Sequence, residues 1–213
     1  MAEGTLDYRL VFRSPVSVFT GLGIAGMVDR VVVRDARGLP HIPGSTVKGR
    51  LRFFAERVLR TATIESRKLH LHPPDGPHCK QFDPACTVCR MFGNPAVEGA
   101  IRVGQATLPE RTAELFLQLL AADPNPVLRP DAEVRPGIAV SRHRRGVIPD
   151  HLFFDETVPA VTFHGKIGLR RQLRDDEMTF LAGVGRLVDA LGARKVAGRG
   201  GLDGGIRIEV NER

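Results

Sequence analysis

The sequence predicts an α+β fold, a ferredoxin-like sheet with helices on one face. Segments with strand and helix patterning alternate along the chain as strand, helix, strand, helix, strand, helix, strand. The strand segments are short and their connections long, as this architecture requires. Two helical segments carry clean apolar stripes that can cover a sheet. A length of 213 residues, 42% hydrophobic and 26% charged, fits one domain (1–213) that carries insertions.

Leu6 to Val18 is rich in β-formers, with Tyr8, Leu10 and Phe12 on one face, and reads as a strand. A glycine-rich loop, Gly21 to Gly26, and a short strand at Val31 to Val33 follow. Ser45 is the expected N-cap of the clearest helix, whose stripe is Val47, Leu51, Phe54 and Val58 and which runs to about Arg67. The stretch from His70 to Pro95 is irregular. Gly99 to Leu108 reads as a strand, Glu110 to Leu120 as a helix and Asp123 to Pro136 as a proline-rich loop. Ile138 to Pro159 reads as a projecting hairpin, and Val161 to Leu169 as a strand. Asp175, Asp176 and Glu177 open a helix at its positive dipole end, and Gly192 is its expected stop. The chain closes with a glycine-rich turn and a strand at Ile206 to Val210.

Thirty-one Lys and Arg against 24 Asp and Glu leave a net charge of +7, which favours a polyanionic partner over a merely basic surface. The chain has no Trp and one Tyr, so stacking on exposed aromatic platforms is not the expected mode of binding. No apolar run is long enough for a bilayer, and the N-terminal residues lack the pattern of a signal peptide, so a cytoplasmic location with no membrane partner is expected. Three cysteines argue against a disulfide framework.

The strongest local signal is Cys79-x6-Cys86-x2-Cys89 with His70, His72 and His78 nearby. Three thiolates and one imidazole make a tetrahedral structural zinc site, and such an ion would order a segment (69–95) that has no core of its own. His72 and His78 remain alternatives for the fourth ligand; His78 adjoins Cys79, and His72 has more slack. With all positions taken by protein, the metal has a structural and not a catalytic role.

Pro43-Gly44-Ser45-Thr46-Val47-Lys48-Gly49-Arg50-Leu51-Arg52 places free backbone N–H groups at a helix start, with Lys48 and Arg52 on one face. It is not a Walker loop. By itself it describes a capped helix with a solvated basic face. Lys195 to Gly205 is similar in kind: its glycines allow close backbone approach, and Lys195 and Arg199 supply charge, although a plain hairpin turn would read the same way. A third basic cluster, Arg142, His143, Arg144 and Arg145, lies in the projecting hairpin.

The order of these pieces resembles the RAMP superfamily of CRISPR–Cas proteins, and within it the backbone subunits of type III effector complexes. The resemblance rests on Ile42-Pro43-Gly44-Ser45-x-x-Lys48-Gly49, on Cys86-x2-Cys89-x-x-Phe92-Gly93, on Gly99-x-Ile101-x-Val103 and on the terminal Gly198-Arg199-Gly200-Gly201 run, and it spans nearly the whole chain. It implies an RRM-like fold with a β-hairpin thumb (138–160). It further implies copies stacked in a filament on a guide crRNA beside other CRISPR effector subunits. Finally, it implies metal-dependent cleavage, with Mg²⁺ or Mn²⁺, of the paired target RNA.

In such subunits an aspartate beside each kink in the guide cuts the target. Here that implies Asp29, the acidic residue of the loop from Gly21 to Val33; Asp35 in the next turn is the weaker candidate. Gly23 stands where some relatives carry a histidine. The implied RNA-binding residues are Lys48, Arg50, Arg52, Arg142, Arg144, Arg145, Lys195 and Arg199, with Val147, Ile148, Leu152 or Phe153 as a wedge between bases. Contacts to phosphate fit a protein that must accept any guide, because sequence is then read by base pairing. The rival readings are a non-cleaving structural backbone or capping subunit, a guide-processing endoribonuclease that would need His41 or His143 as base, and a zinc-stabilised protein adaptor.

Overall fold

β1 (Gly4–Phe12) runs through the middle of a four-stranded antiparallel sheet, and its alternation explains why. Leu6, Tyr8, Leu10 and Phe12 are buried on one face, the period-2 pattern of a strand packed on a single core. This computed structural model describes residues 4–61, 69–73, 76, 79–123 and 128–209.

β1 pairs on one side with β5 (Thr162–Leu169) and on the other with β6 (Leu202–Glu209), while β2 (Ile101–Val103) closes the far edge on β5. The order is β2-β5-β1-β6. The helices α1 (Gly44–Thr61) and α4 (Asp175–Leu187) contribute Val47, Leu51, Leu181 and Val184 to the same core as the β1 side chains. Counting only these six elements, the chain runs βαββαβ and the strands stand fourth, first, third, second: the ferredoxin-like arrangement.

Between β2 and β5 the chain inserts α3 (Glu110–Ala122) and a separate hairpin of β3 (Glu133–Ser141) and β4 (Gly146–Thr157). Between α1 and β2 lies the cysteine-bearing segment with its short helix α2 (Thr87–Phe92). The hairpin starts at Glu133, earlier than the expected Ile138. Pro130, Pro136 and Gly137 make β3 read as loop, yet a two-stranded hairpin has two free edges, and an edge tolerates a proline.

Other boundaries also move. β1 ends at Phe12, and beyond it Val16 meets only Val158. Val31 to Val33 contributes one isolated bridge, from Val32 to Phe19, and no strand. The expected strand at Gly99 to Leu108 shrinks to three residues, after which Ala106 and Thr107 bridge to Ile42 and His164. α4 stops at Leu187, although Val188 and Leu191 of its predicted stripe stay buried. Its start is fixed by the Glu177 carboxylate, which reaches back to accept from the Arg174 N–H at 3.0 Å. The expected end of α1 near Arg67 and the last residue of the expected final strand, Val210, lie outside the described residues. Among the described residues no helix is long and apolar enough to cross a membrane.

Candidate nucleic-acid interface and metal centre

Cys86 caps α2, and its sulfur accepts the Cys89 N–H at 3.4 Å, so the Cys-x2-Cys spacing becomes one turn with both sulfurs on one side. Cys79 is drawn in from the preceding loop, its sulfur accepting the Cys86 N–H at 3.3 Å. His72 brings Nδ1 to 3.2 Å from the Cys86 sulfur and 3.7 Å from that of Cys89. The four ligand atoms lie within 4.8 Å of one another. A tetrahedral ion with bonds of about 2.3 Å to sulfur sets its ligand atoms roughly 3.5–3.8 Å apart, so small shifts of these side chains would close the donor set on a metal ion. Burial pushes the Cys86 thiol up to about 11, whereas the Cys86 N–H holds the Cys79 thiol below its usual range. A bound cation would take the place of the Cys86 proton. His72 thus joins the three cysteines; His78 lies outside the described residues.

α1 begins one residue before the expected cap. The Pro43 carbonyl accepts from the N–H groups of Thr46 and Val47, and Ser45 falls in the first turn. Gly44 is required there because a Cβ would stand 2.1 Å from the Val103 carbonyl oxygen; the helix start is pressed against β2. This contact opens a cleft of about 670 Å³ lined by Lys48, Arg52, Arg102 and Arg170. Glu56 and the Gly93 carbonyl hold Arg52 at 2.9 and 2.6 Å, and Glu98 pairs with Arg170. Burial, and then the Arg170 and Arg52 charges, push the Lys48 ammonium below its usual range. Arg50 leaves this group. It donates to the Ala190 carbonyl and Asp189, each at 3.2 Å, and stacks 4.7 Å from the Phe54 ring, tying α1 to the segment after α4.

Arg142, Arg144 and Arg145 occupy the exposed turn of the hairpin. Arg145 takes a left-handed φ of 50°, and Ser141 Oγ accepts the Arg144 N–H. On one hairpin face Ile138 faces Leu152 and Val140 faces Val147, all four more than half exposed.

The loop carrying Asp29 folds against the hairpin base. Gly23 lies so close to it that a Cβ would stand 2.5 Å from the Asp29 carbonyl oxygen, so no side chain, imidazole included, fits there. The Asp29 N–H donates to the Phe154 carbonyl at 2.9 Å, and the exposed Asp29 carboxylate accepts the Phe154 N–H at 2.6 Å. Asp35, by contrast, is consumed by its turn: its carboxylate accepts the N–H groups of Arg37 and Leu39, both at 2.9 Å.

Adjacent residues of β4 point to opposite faces and meet different arginines. Glu156 accepts from Arg34 at 2.5 Å and from the Val32 N–H at 2.8 Å; Arg34 and Arg129 also share the buried Asp131. Asp155 is fully buried and faces Arg30 at 2.7 Å, Arg194 at 3.0 Å and Arg199 at 3.7 Å. Arg199 also donates to Thr157 Oγ1, and Lys195 donates to the Gly192 carbonyl. The glycine-rich tail therefore joins the Asp29 loop at the foot of the hairpin. Arg30, Arg194 and Asp155 escaped the sequence reading. No pattern of neighbouring residues in the sequence marks the three as a group.

Among the described residues, basic side chains gather at the α1 cleft, the hairpin turn and the hairpin foot. No curated protein matches the chain. Its fold is similar to that of a chain in the cryo-EM structure of the Type III-B Cmr-beta bound to cognate target RNA, with 11% identity over 96% of this chain and 97% of that one and a TM-score of 0.62. A chain of Type III-B Cmr-beta in its apo state is similar as well, with 13% identity over 97% and 98% and a TM-score of 0.62. Residues 10–203, from within β1 to the start of β6, match the RAMP superfamily, and the chain belongs to that superfamily.

Proposed function

We propose that this protein is the guide-RNA-binding backbone subunit of a type III CRISPR ribonucleoprotein and cleaves the RNA paired with its guide, with Asp29 as the catalytic residue. The observation that carries this reading is the position of Asp29: an exposed carboxylate fastened to the foot of a basic hairpin, in a member of the RAMP superfamily. The similar Cmr-beta chain from a complex bound to target RNA supports it.

Lys48 and Arg52 in the α1 cleft, the hairpin arginines Arg142, Arg144 and Arg145, and Lys195 would hold guide phosphates, whereas Arg50 and Arg199 are engaged within the fold. Copies of the chain and other effector subunits would line up along that guide, in the cytoplasm. The hairpin would turn the strand, and the exposed Ile138, Val140, Val147 and Leu152 would take up unstacked bases. At the bend the 2′-oxygen attacks the neighbouring phosphorus and the P–O5′ bond breaks. The 2′-hydroxyl proton leaves to the Asp29 carboxylate, and the departing O5′ takes a proton from water.

Mg²⁺ or Mn²⁺ would stabilise the developing charge, and a single carboxylate plus RNA phosphates suits such weakly held ions. Among the described residues only His72, Cys79, Cys86 and Cys89 cluster as a preformed ligand set, and their soft sulfur donors favour zinc there.

A specific observation also supports a second reading, a non-cleaving backbone: the Asp29 carboxylate already serves the Phe154 N–H. Reconstituted, guide-loaded complex incubated with target RNA decides between them. Regularly spaced cuts that vanish with Asp29→Ala and with EDTA, while guide binding persists, carry the first reading. Equal cutting by the variant moves the chemistry to another residue or subunit, and no cutting by either form leaves the second reading.

A further inference from the structure

The foot of the hairpin holds more positive charge than its own stability asks for. One buried carboxylate, Asp155, is met by three guanidiniums, although one would neutralise it. Burial holds Arg199 below the usual guanidinium range. The nearby Arg135, Arg194 and Arg30 push the same way, although Asp155 opposes them. Like charges gathered in a partly dry place are the mark of a site that awaits an anion.

The three arginines are not equivalent. The Arg199 side chain is 12% exposed and serves the interior, whereas those of Arg30 and Arg194 are 35% and 32% exposed. Both exposed ones stack on the Phe153 ring, at 5.2 and 4.0 Å from its centre, and Arg30 stacks on Phe19 as well. Each guanidinium has five N–H donors, and the bonds to Asp155 occupy only part of that set. The aromatic contacts and the buried carboxylate fix both planes, so little side-chain freedom is left to lose on binding.

Asp29 and Arg30 are consecutive, and both of their N–H groups donate to the Phe154 carbonyl, at 2.9 and 3.3 Å. The carboxylate of Asp29 and the guanidinium of Arg30 are therefore set by Phe153, Phe154 and Asp155, three residues that span only about 7 Å of strand.

We propose that Arg30 and Arg194, both stacked on Phe153 and anchored through Asp155, seat one phosphodiester of the target RNA beside Asp29. The inference rests on the reading of Asp29 as the cleavage residue and adds a phosphate seat to it. The arginines transfer no proton. Their N–H groups meet the non-bridging oxygens, whose negative charge grows as the 2′-oxygen attacks and the P–O5′ bond breaks.

The test uses guide-loaded complex and target RNAs in which a neutral methylphosphonate replaces each linkage in turn. Binding is measured in an Asp29→Ala background, so that it does not depend on cutting. Arg30→Gln and Arg194→Gln should each weaken binding of the unmodified target several-fold. That loss should disappear when the methylphosphonate sits at the linkage that Asp29-bearing complex cuts. In that complex Arg30→Gln should slow single-turnover cleavage on the order of 100-fold, with partial recovery in Arg30→Lys. Where Arg30→Gln lowers the unfolding temperature, Arg194→Gln and Arg30→Lys carry the comparison.

The proposal is overturned by losses that persist at every neutral linkage, by losses that couple to a guide phosphate instead, or by complexes that bind no RNA. If coupling appears at one target linkage but Asp29→Ala cuts as wild type, the seat stands and the assignment of Asp29 falls.

Discussion

Asp29 and Phe154 are bonded to each other twice, once through each backbone direction. The Asp29 N–H donates to the Phe154 carbonyl, and the Phe154 N–H donates to the Asp29 carboxylate. One side chain therefore both latches the loop to the hairpin and presents a carboxylate to solvent. Asp29→Asn keeps an acceptor for Phe154 but no base, and Asp29→Ala keeps neither. Cleavage should be lost in both. In urea unfolding Asp29→Ala alone should be less stable, by about 1 kcal/mol for one hydrogen bond. Equal stability of the two variants would show that the latch does not hold the loop.

Asp155 should matter more to folding than any acid at the surface. It is fully buried beneath Arg30, Arg194 and Arg199, and Asp155→Ala leaves those charges uncompensated. A loss of about 3–5 kcal/mol is expected. Faster amide exchange should appear in the Asp29 loop, in β4 next to Thr157 and in the turn around Arg199, and not in β1 or β5. Exchange that rises uniformly over the sheet would mean that Asp155 supports the whole core and not the hairpin foot.

Metal removal should act locally before it acts globally. His72, Cys79, Cys86 and Cys89 are the only preformed ligand cluster among the described residues, and α2 is the one helix or strand among the described residues of the segment between them. A chelator strong enough for zinc should release about one ion per chain, shown by a colorimetric zinc assay, and should expose the segment around 79–93 to protease. Cys86→Ser should do the same without chelator. Metal content that is unaffected by Cys86→Ser would assign the ion to other residues.

What could be read in advance follows the range of the interactions. The alternation of Leu6, Tyr8, Leu10 and Phe12, the start of the α1 stripe at Val47 and Leu51 and the Cys-x2-Cys turn depend on neighbours a few residues apart, and each stands where its pattern placed it; further along α1 it is Ala55 that is buried, while Phe54 and Val58 are only partly so. Arg30, Asp155 and Arg194 belong to three separate segments and meet only because the hairpin returns to the Gly-rich tail, so no local pattern marks them. Arg50 illustrates the same limit. On a helical wheel it is one more basic residue, but in the fold it is committed to Ala190, Asp189 and two phenylalanine rings. The start of β3 was hidden by Pro136, whose missing donor is harmless on an edge.

Lys48 brings stability and binding into opposition. Burial comes first, and the Arg170 and Arg52 charges second, in lowering its affinity for a proton in the folded chain. A base whose folded pKa is depressed is protonated more readily in the unfolded chain. It therefore destabilises the fold below its ordinary pKa of 10.5, and stability rises as pH climbs toward that value. Lys48→Met removes the penalty and keeps the aliphatic stem against the cleft wall. The variant should melt at a higher temperature than wild type at pH 7, and the difference should shrink as pH rises toward 10. If the cleft holds an RNA phosphate, the same change removes one cation from it. RNA affinity should then fall across all sequences alike, with the slope of log K against log salt smaller by about 0.7. A residue that costs the free chain stability and repays it only when RNA is bound is a binding residue. A Lys48→Met variant with unchanged salt slope would leave Arg52, Arg102 and Arg170 as the charges that matter in this cleft.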